Sequence, residues 1–142
     1  MADPRLGVRY DGIAAQFITF KIDNSTITYS ATSTGGSAMV GLAVEFSAAD
    51  TVALTQDGAY VVGKLISVTA DNYCVVQTGG IVTLPAGGSA SLTQGKAIVG
   101  DLDTSARGYI REAASGTAGE LVLCRGAIYN AAVTTAVVIK LD

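Results

Sequence analysis

The chain has 142 residues and contains neither histidine nor tryptophan. Histidine is the side chain most often used for acid–base chemistry near neutral pH. Its absence excludes Ser–His and Cys–His nucleophile systems and zinc sites built on histidine. Four lysines accompany many serines, but no spacing singles out a Ser–Lys dyad. We therefore expect no enzymatic activity and no cofactor.

Charge is also sparse, because only 15% of the residues are charged and the net charge is −3. The nine lysines and arginines are scattered along the chain. Nucleic-acid binding requires a basic stripe that neutralises phosphates, and binding to a membrane surface requires a basic amphipathic helix. The sequence therefore predicts neither kind of partner. A sparsely charged surface suits a protein whose face is covered by another protein, and a compact secreted domain is the alternative.

Long apolar runs are missing, since none approaches the roughly 20 residues that span a bilayer. Residues 1–5 lack the charged and apolar regions of a signal peptide. We therefore expect a protein that is made and assembled in a cytoplasm. The two cysteines, Cys74 and Cys124, lie in apolar runs, where a free thiol behaves as a small hydrophobic group. A disulfide between them is the less favoured alternative in a reducing compartment.

The N-terminal part of the chain shows the alternation of a β-strand. Residues 16–22 place three apolar side chains on one face, namely those of Ile18, Phe20 and Ile22. A turn signal at residues 23–24 and a second short run at 26–29 predict a hairpin. Residues 30–37 are rich in Ser, Thr and Gly and are typical of a flexible link. We therefore separate an N-terminal arm or hairpin, residues 1–36, from a body at residues 37–142.

The body consists of short alternating runs separated by turn residues. We predict strands at residues 39–46, 51–55, 64–69, 73–78, 81–84, 96–99, 109–111, 120–129 and 136–141. Gly79-Gly80 is interpreted as a reversing turn, and Gly126 as a bulge or a point of close backbone approach. The linkers at 101–108 and 112–119 have room for one short helical turn each. The fold class is all-β, a small β-barrel or β-tulip-like body of short antiparallel strands with an extended N-terminal arm or hairpin.

Few groups of residues in the sequence could form a metal site or a binding site. Asp101 and Asp103 form a D-x-D pair, but calcium usually takes six to eight oxygen ligands and the remaining pattern is missing, so we favour a turn and expect no metal. Arg107, Tyr109 and Arg111 lie close together near a loop. Arg and Tyr are enriched in protein interfaces, so these residues are candidate capsid or subunit contacts. The alternative is a solvent-facing strand.

A series of different short motifs, made of turn and core residues, is spread along residues 39–142. They are VGLAV at 40–44, DTVAL at 50–54, VVQTGG at 75–80, GKAIVG at 95–100, RGYIR at 107–111 and RGAIY at 125–129. This series resembles the small capsid decoration, or cement, proteins of tailed bacteriophages. The resemblance does not extend into residues 1–36.

The resemblance implies a structural protein that binds the major capsid protein on the outside of the expanded head. It also implies a homo-oligomer, with a trimer favoured, that is assembled in the host cytoplasm and located on the virion. An extended arm can add a strand to a neighbour's sheet edge, and we assign this role to Phe17, Ile18, Thr19 and Phe20. Phe17 breaks the alternation, which indicates that both faces of its strand are covered. An ordinary internal hairpin is the alternative.

A different class of function stays open. A β-sandwich adhesion or carbohydrate-binding module of a virion or cell surface would also consist of short strands. Such a module binds sugars on exposed aromatic side chains, and the absence of tryptophan counts against it.

Overall fold

The computed structural model describes residues 14–88, 92–114, 116, 118–131 and 134–141. It contains nine strands: β1 Gln16–Ile22, β2 Ala43–Ala48, β3 Thr51–Leu54, β4 Gly63–Val68, β5 Tyr73–Leu84, β6 Ile98–Asp103, β7 Ala106–Glu112, β8 Ala127–Asn130 and β9 Val137–Leu141. One short helix, α1 Ala118–Leu123, and one 3-10 turn, Thr34–Gly36, complete the described elements. The predicted all-β class is confirmed.

Five strands close into a small barrel, which confirms the predicted barrel body. Their order is β1-β3-β2-β4-β5, and β1 also pairs with β5 to close the ring. Ile22 of β1 lies beside Val52 of the parallel strand β3, while Phe20 lies opposite Cys74 of the antiparallel strand β5. Within the described part of the N-terminal segment, β1 is therefore one of the five strands that form the barrel wall.

The barrel is filled by apolar side chains from every one of its strands. The buried members are Ile22, Ile27, Val44, Val52, Leu54, Val62, Leu65, Val68, Cys74 and Val76. A barrel of five strands has a narrow interior, so these mostly branched side chains are sufficient to fill it.

Residues 26–29 do not form the second strand of the predicted hairpin. The carboxylate of Asp23 instead accepts the N–H groups of Thr26 at 2.9 Å and of Ile27 at 3.0 Å, which turns the chain away from β1. The Thr26 hydroxyl then accepts the N–H of Leu54 at 2.9 Å. Ile27 is consequently buried in the barrel, and β3 and β5 take the places beside β1.

Gly79-Gly80 does not reverse the chain, so the prediction of two strands at 73–78 and 81–84 was wrong. β5 is one strand of 12 residues that runs through both glycines. Gly80 has φ +84°, which bends the strand without ending it. Before the bend β5 pairs with β1 and β4, and after it residues 80–84 pair with β9. One strand thus belongs to two parts of the molecule.

The second part of the molecule encloses its own core. Strands β5, β9 and β8 are adjacent in the main sheet, and β6 pairs with β7 as a separate hairpin. The buried apolar residues between them are Ala43, Val61, Val82, Leu84, Ile98, Ile110, Ile128, Val137, Ile139 and Leu141. The predicted linker at 101–108 is therefore mostly strand, and its turn is formed at Thr104, which has φ +60°.

Residues 120–129 are not one strand, contrary to the prediction. Residues 118–123 form α1, in which the Cys124 N–H donates to the Glu120 carbonyl oxygen at 2.7 Å. The Glu120 carboxylate is bound by Arg111 on β7, which holds the first helical turn against the hairpin. Only Ala127–Asn130 extends as β8. The Arg111–Glu120 ion pair joins residues nine positions apart and anchors the helix where the apolar run predicted a strand.

Arg125 joins the two cores. Its guanidinium donates to the carbonyl oxygens of Val61, Val62 and Thr78 and lies over the ring of Tyr60, 5.7 Å from the ring centroid. A planar guanidinium can satisfy several carbonyl groups at once, which a lysine cannot do with the same geometry.

Gly126 is a point of close backbone approach, as predicted. A Cβ atom there would stand 2.5 Å from the Lys140 carbonyl oxygen, and the residue has φ +71°. Strand β8 can therefore begin beside β9 only if this position has no side chain.

We expect Gly126→Ala to lower the free energy of unfolding by about 2–4 kcal/mol, because it adds both backbone strain and a steric clash. Gly119→Ala is the matched control, since a Cβ atom at Gly119 has nothing within 4 Å. The control should change stability by less than about 1 kcal/mol. Urea denaturation measures both variants, and equal effects would contradict the close approach at Gly126.

Candidate docking surface

The exposed apolar side chains of β1 and β2 form the first feature of the surface. Phe17 is 55% exposed, Ile18 is 49% exposed and Phe46 is 54% exposed. Phe20 is half-buried and meets Phe46 edge-to-face, with ring centroids 5.7 Å apart. Thr19 is exposed between them in sequence. Phe17 and Ile18 are consecutive in β1 and point to opposite faces, and Phe46 lies on β2, which β3 separates from β1. Exposed apolar groups of this size are typical of interaction surfaces.

Much of β1 has an open edge among the described residues. Among the described residues, β1 pairs with β3 only at Lys21 and Ile22, whereas its pairing with β5 runs from Gln16 to Lys21. The Lys21 N–H donates towards β3, to Asp50 O at 2.8 Å, and the Ile22 N–H donates the other way, to Asn72 O at 3.1 Å.

Main-chain groups alternate in direction along a strand, so the N–H and C=O groups of Phe17 and Thr19 point in the same direction as those of Lys21. That direction is the open edge. We call residues 16–20 the β1 edge. Within the described part of the chain, its main-chain groups on that side have no strand partner, and apolar side chains lie on both of its faces. This combination is the chemistry of a site for an added strand.

Arg107 and Tyr109 lie on β7 at alternate positions and border a cavity. The cavity has a volume of about 540 Å³, and its lining is Thr26, Ala38, Met39, Leu42, Leu54, Ala106, Arg107 and Tyr109. Arg107 donates from Nη2 to Oε1 of Glu45 at 3.0 Å. The Nε–H of Arg107 is buried and has no hydrogen-bond partner among the described residues.

The guanidinium N–H groups of Arg111 donate to carboxylates of the same chain. Its Nε donates to Asp57 at 2.8 Å and lies 3.9 Å from Asp101, and its terminal nitrogens bind Glu120. The Arg111–Glu120 hydrogen bond and the neighbouring charges raise the pKa of this guanidinium above its ordinary value. Arg111 therefore ties β7 to α1 and to the turn after β3.

The predicted contact residues thus fall into two groups that meet at β2. Phe20 contacts Phe46, and Arg107 binds Glu45, the residue immediately before it. Neighbouring residues in a strand point to opposite faces, so β2 separates the β1 edge from the cavity. A role of these residues in contacting a shell or a second subunit stays a prediction.

No family model, curated protein or solved structure matches this chain. The geometry described above therefore carries the functional argument.

One apolar surface was missed by sequence reasoning. Helix α1 exposes Leu121 by 54%, Val122 by 83% and Leu123 by 42%. The only sign of this surface in the sequence is that these apolar residues do not alternate with polar ones. The helix exposes three consecutive apolar side chains, whereas a strand of a half-buried sheet would have buried every second one.

The described residues contain no group of three or more His, Cys, Asp or Glu side chains that could hold a metal ion. Asp101 and Asp103 lie on β6 and not in a loop, and their carboxylates fill the space beside Gly87 and Gly88. Cys74 and Cys124 are free thiols, and burial raises the pKa of the Cys74 thiol to about 11. Within the described part of the chain, no helix has the length and hydropathy to cross a bilayer.

The Arg111–Glu120 contact gives a pH prediction. Hydrogen bonds from Arg111 and from the Ala114 N–H lower the pKa of Glu120 from 4.5 to about 2. A carboxyl group whose pKa is lowered by folding stabilises the fold above its unfolded pKa and loses that contribution as the pH falls through the folded value.

We therefore expect Glu120→Gln to be less stable than the parent by an amount that is constant above about pH 5.5 and shrinks steadily towards about pH 2. Urea unfolding of both proteins across this range provides the measurement. A stability difference that stays constant down to the lowest pH would show that Arg111 does not favour the charged form.

Proposed function

We propose that this protein is a capsid decoration, or cement, protein of a tailed bacteriophage. In this role it binds the outside of the head and stabilises contacts between major capsid protein subunits. The β1 edge is the observation that carries the proposal. The resemblance of residues 39–142 to such proteins supports the choice of partner.

The β1 edge supports docking through strand addition. A segment of the shell that lies along Phe17 and Thr19 would gain main-chain hydrogen bonds in the manner of an added strand. The side chains of Phe17, Ile18 and Phe46 would lose their exposure to water in the same step. Burial of apolar surface provides about 25 cal/mol per Å², so three such groups make a substantial contribution.

A closed barrel suits a decoration protein because the strand that docks is held in place before binding. β1 is fixed by its ladder to β5 and by two residues of β3, so little chain entropy remains to be lost. A protein that binds only the expanded shell then stabilises that state by mass action.

Self-association is part of the proposal, with a trimer favoured. Helix α1 offers a second exposed apolar surface in Leu121, Val122 and Leu123, separate in sequence from the β1 edge. One surface can then serve contacts between copies while the other serves the shell. Several linked copies increase avidity for a shell that repeats the same site.

The proposal predicts binding to expanded heads and weaker binding to unexpanded ones. Purified protein is mixed with each kind of head and pelleted, and the bound fraction is measured over a concentration series. We expect saturable co-sedimentation with expanded heads. Failure to bind either kind of head would contradict the proposed function.

The strand-addition mechanism predicts that Thr19→Pro weakens binding to expanded heads by about tenfold or more. Proline removes the N–H that points to the open edge and leaves the ladder to β5 intact, which is the setting in which sheets tolerate proline. Thr19→Val is the matched control, because it removes the hydroxyl and keeps the N–H. Equal affinities of the two variants would contradict docking through the main chain.

A further inference from the structure

A second cavity lies where the chain leaves β5. It is lined by residues 85–88, by Asp103 of β6, by Tyr109 of β7, and by Thr134 and Thr135 ahead of β9. Its volume of about 460 Å³ is within the range of binding pockets. We call it the Asp103 pocket, and its lining shares no residue with the β1 edge.

Asp103 is the one charged side chain among the described residues that line this pocket. Its Oδ1 lies beside Gly88, 2.7 Å from the place that a Cβ atom would take there, so the carboxylate stands at the pocket wall. The side chain is half-buried and not sealed from solvent, so a ligand can reach it.

Asp103 also lacks a basic partner within the part of the chain that the structure describes, where it forms neither an ion pair nor a side-chain hydrogen bond. Other carboxylates of the described residues are ion-paired with Arg107 or Arg111, namely those of Glu45, Asp57, Asp101 and Glu120. The charge of Asp103 is therefore left for a partner to match.

The main chain of the pocket offers few hydrogen-bond donors. Pro85 has no N–H, the Ala86 N–H donates to the Thr134 carbonyl oxygen at 2.8 Å, and the Gly87 N–H donates to the Ile110 carbonyl oxygen at 3.0 Å. An anion or a carbonyl group would need free donors here. The lining is better matched to a group that donates hydrogen bonds and carries a positive charge.

Two side chains in proteins have this chemistry, because lysine ammonium and arginine guanidinium groups donate only and are charged. The carboxylate of Asp103 can accept a charge-assisted hydrogen bond from either group. Tyr109 supports the same choice, since the face of an aromatic ring attracts a cation. Tyr109 is also one of the contact residues predicted from the sequence.

We propose that the Asp103 pocket receives a lysine or arginine side chain of the major capsid protein, with the Asp103 carboxylate accepting its N–H groups. This inference rests on the proposed function and adds a second contact with the same partner. The second contact has a physical purpose. Strand addition at the β1 edge uses main-chain groups, which every sequence possesses, and a pocket for one charged side chain selects which residue of the partner docks.

The first test removes the charge and keeps the shape. We expect Asp103→Asn to bind expanded heads about five- to tenfold more weakly than the parent, because a charge-assisted hydrogen bond becomes a neutral one. Asp71→Asn is the matched control, since Asp71 is an exposed turn residue outside the lining and the change in net charge is the same. The control should bind within about twofold of the parent, and thermal unfolding shows whether both variants are folded.

The second test needs no heads. The free protein is titrated with Nα-acetyl-arginine amide and with Nα-acetyl-lysine amide, and the amide signals of Ala86 and Gly87 are followed by NMR. We expect saturable shifts with at least one of the two compounds and an affinity at least about fivefold lower in Asp103→Asn. Nα-acetyl-citrulline amide, the uncharged analogue of the arginine compound, should cause no saturable shift at the same concentrations.

The outcomes separate this inference from the proposed function. If the parent binds expanded heads and Asp103→Asn binds equally well, the pocket contact is wrong and strand addition stands. If the parent binds neither kind of head, the proposed function fails and the choice of partner fails with it, while a saturable shift with a basic compound would still support the site. Equal shifts with the citrulline compound, or saturable shifts with glucose in place of the basic compounds, would overturn the assignment to a cation.

Discussion

The pairing of β5 on both sides of Gly79-Gly80 is the constraint on which the structure depends. The first part of this strand closes the barrel through β1 and β4, and residues 80–84 carry β9 and the second core. Val76 is buried in the barrel while Val82 and Leu84 are buried in the second core, so both cores share one continuous backbone. Arg125 strengthens the junction, because its guanidinium binds carbonyl groups of Val61, Val62 and Thr78 where the two parts meet.

This arrangement determines which surface is left for a partner. β5 gives β1 a full antiparallel ladder, whereas β3 gives it only two paired residues, so the β1 edge remains open among the described residues. The ladder to β5 holds β1 in place, and the short ladder to β3 leaves the other edge of residues 16–20 open among the described residues. Phe17, Ile18 and Phe46 are exposed near main-chain groups that have no strand partner among the residues described. The proposed docking role rests on this combination and not on any single residue.

Sequence reasoning predicted the parts of the fold that depend on local chemistry. The alternation at 16–22, the turn at 23–24 and the close approach at Gly126 could all be read from neighbouring residues. It failed where distant contacts decide. Gly79-Gly80 has the composition of a turn, but β9 pairs beyond it and keeps the strand extended. Residues 118–123 form a helix, and its Glu120 is bound by Arg111 of β7, a partner nine residues earlier that the alternation pattern does not reveal. Phe17–Phe20 and Arg107 were named as contact residues, but the cavity beside Arg107 depends on Met39 and Leu54, which no spacing connects to it.

The central claim is that a strand of the shell joins the β1 edge. A cryo-electron microscopy map of expanded heads carrying the bound protein tests this most directly, because it shows which face of the barrel meets the shell. The account predicts an extended shell segment within hydrogen-bonding distance of the main chain at Phe17 and Thr19. A map in which the protein is bound through another face, with these residues open to solvent, would contradict it.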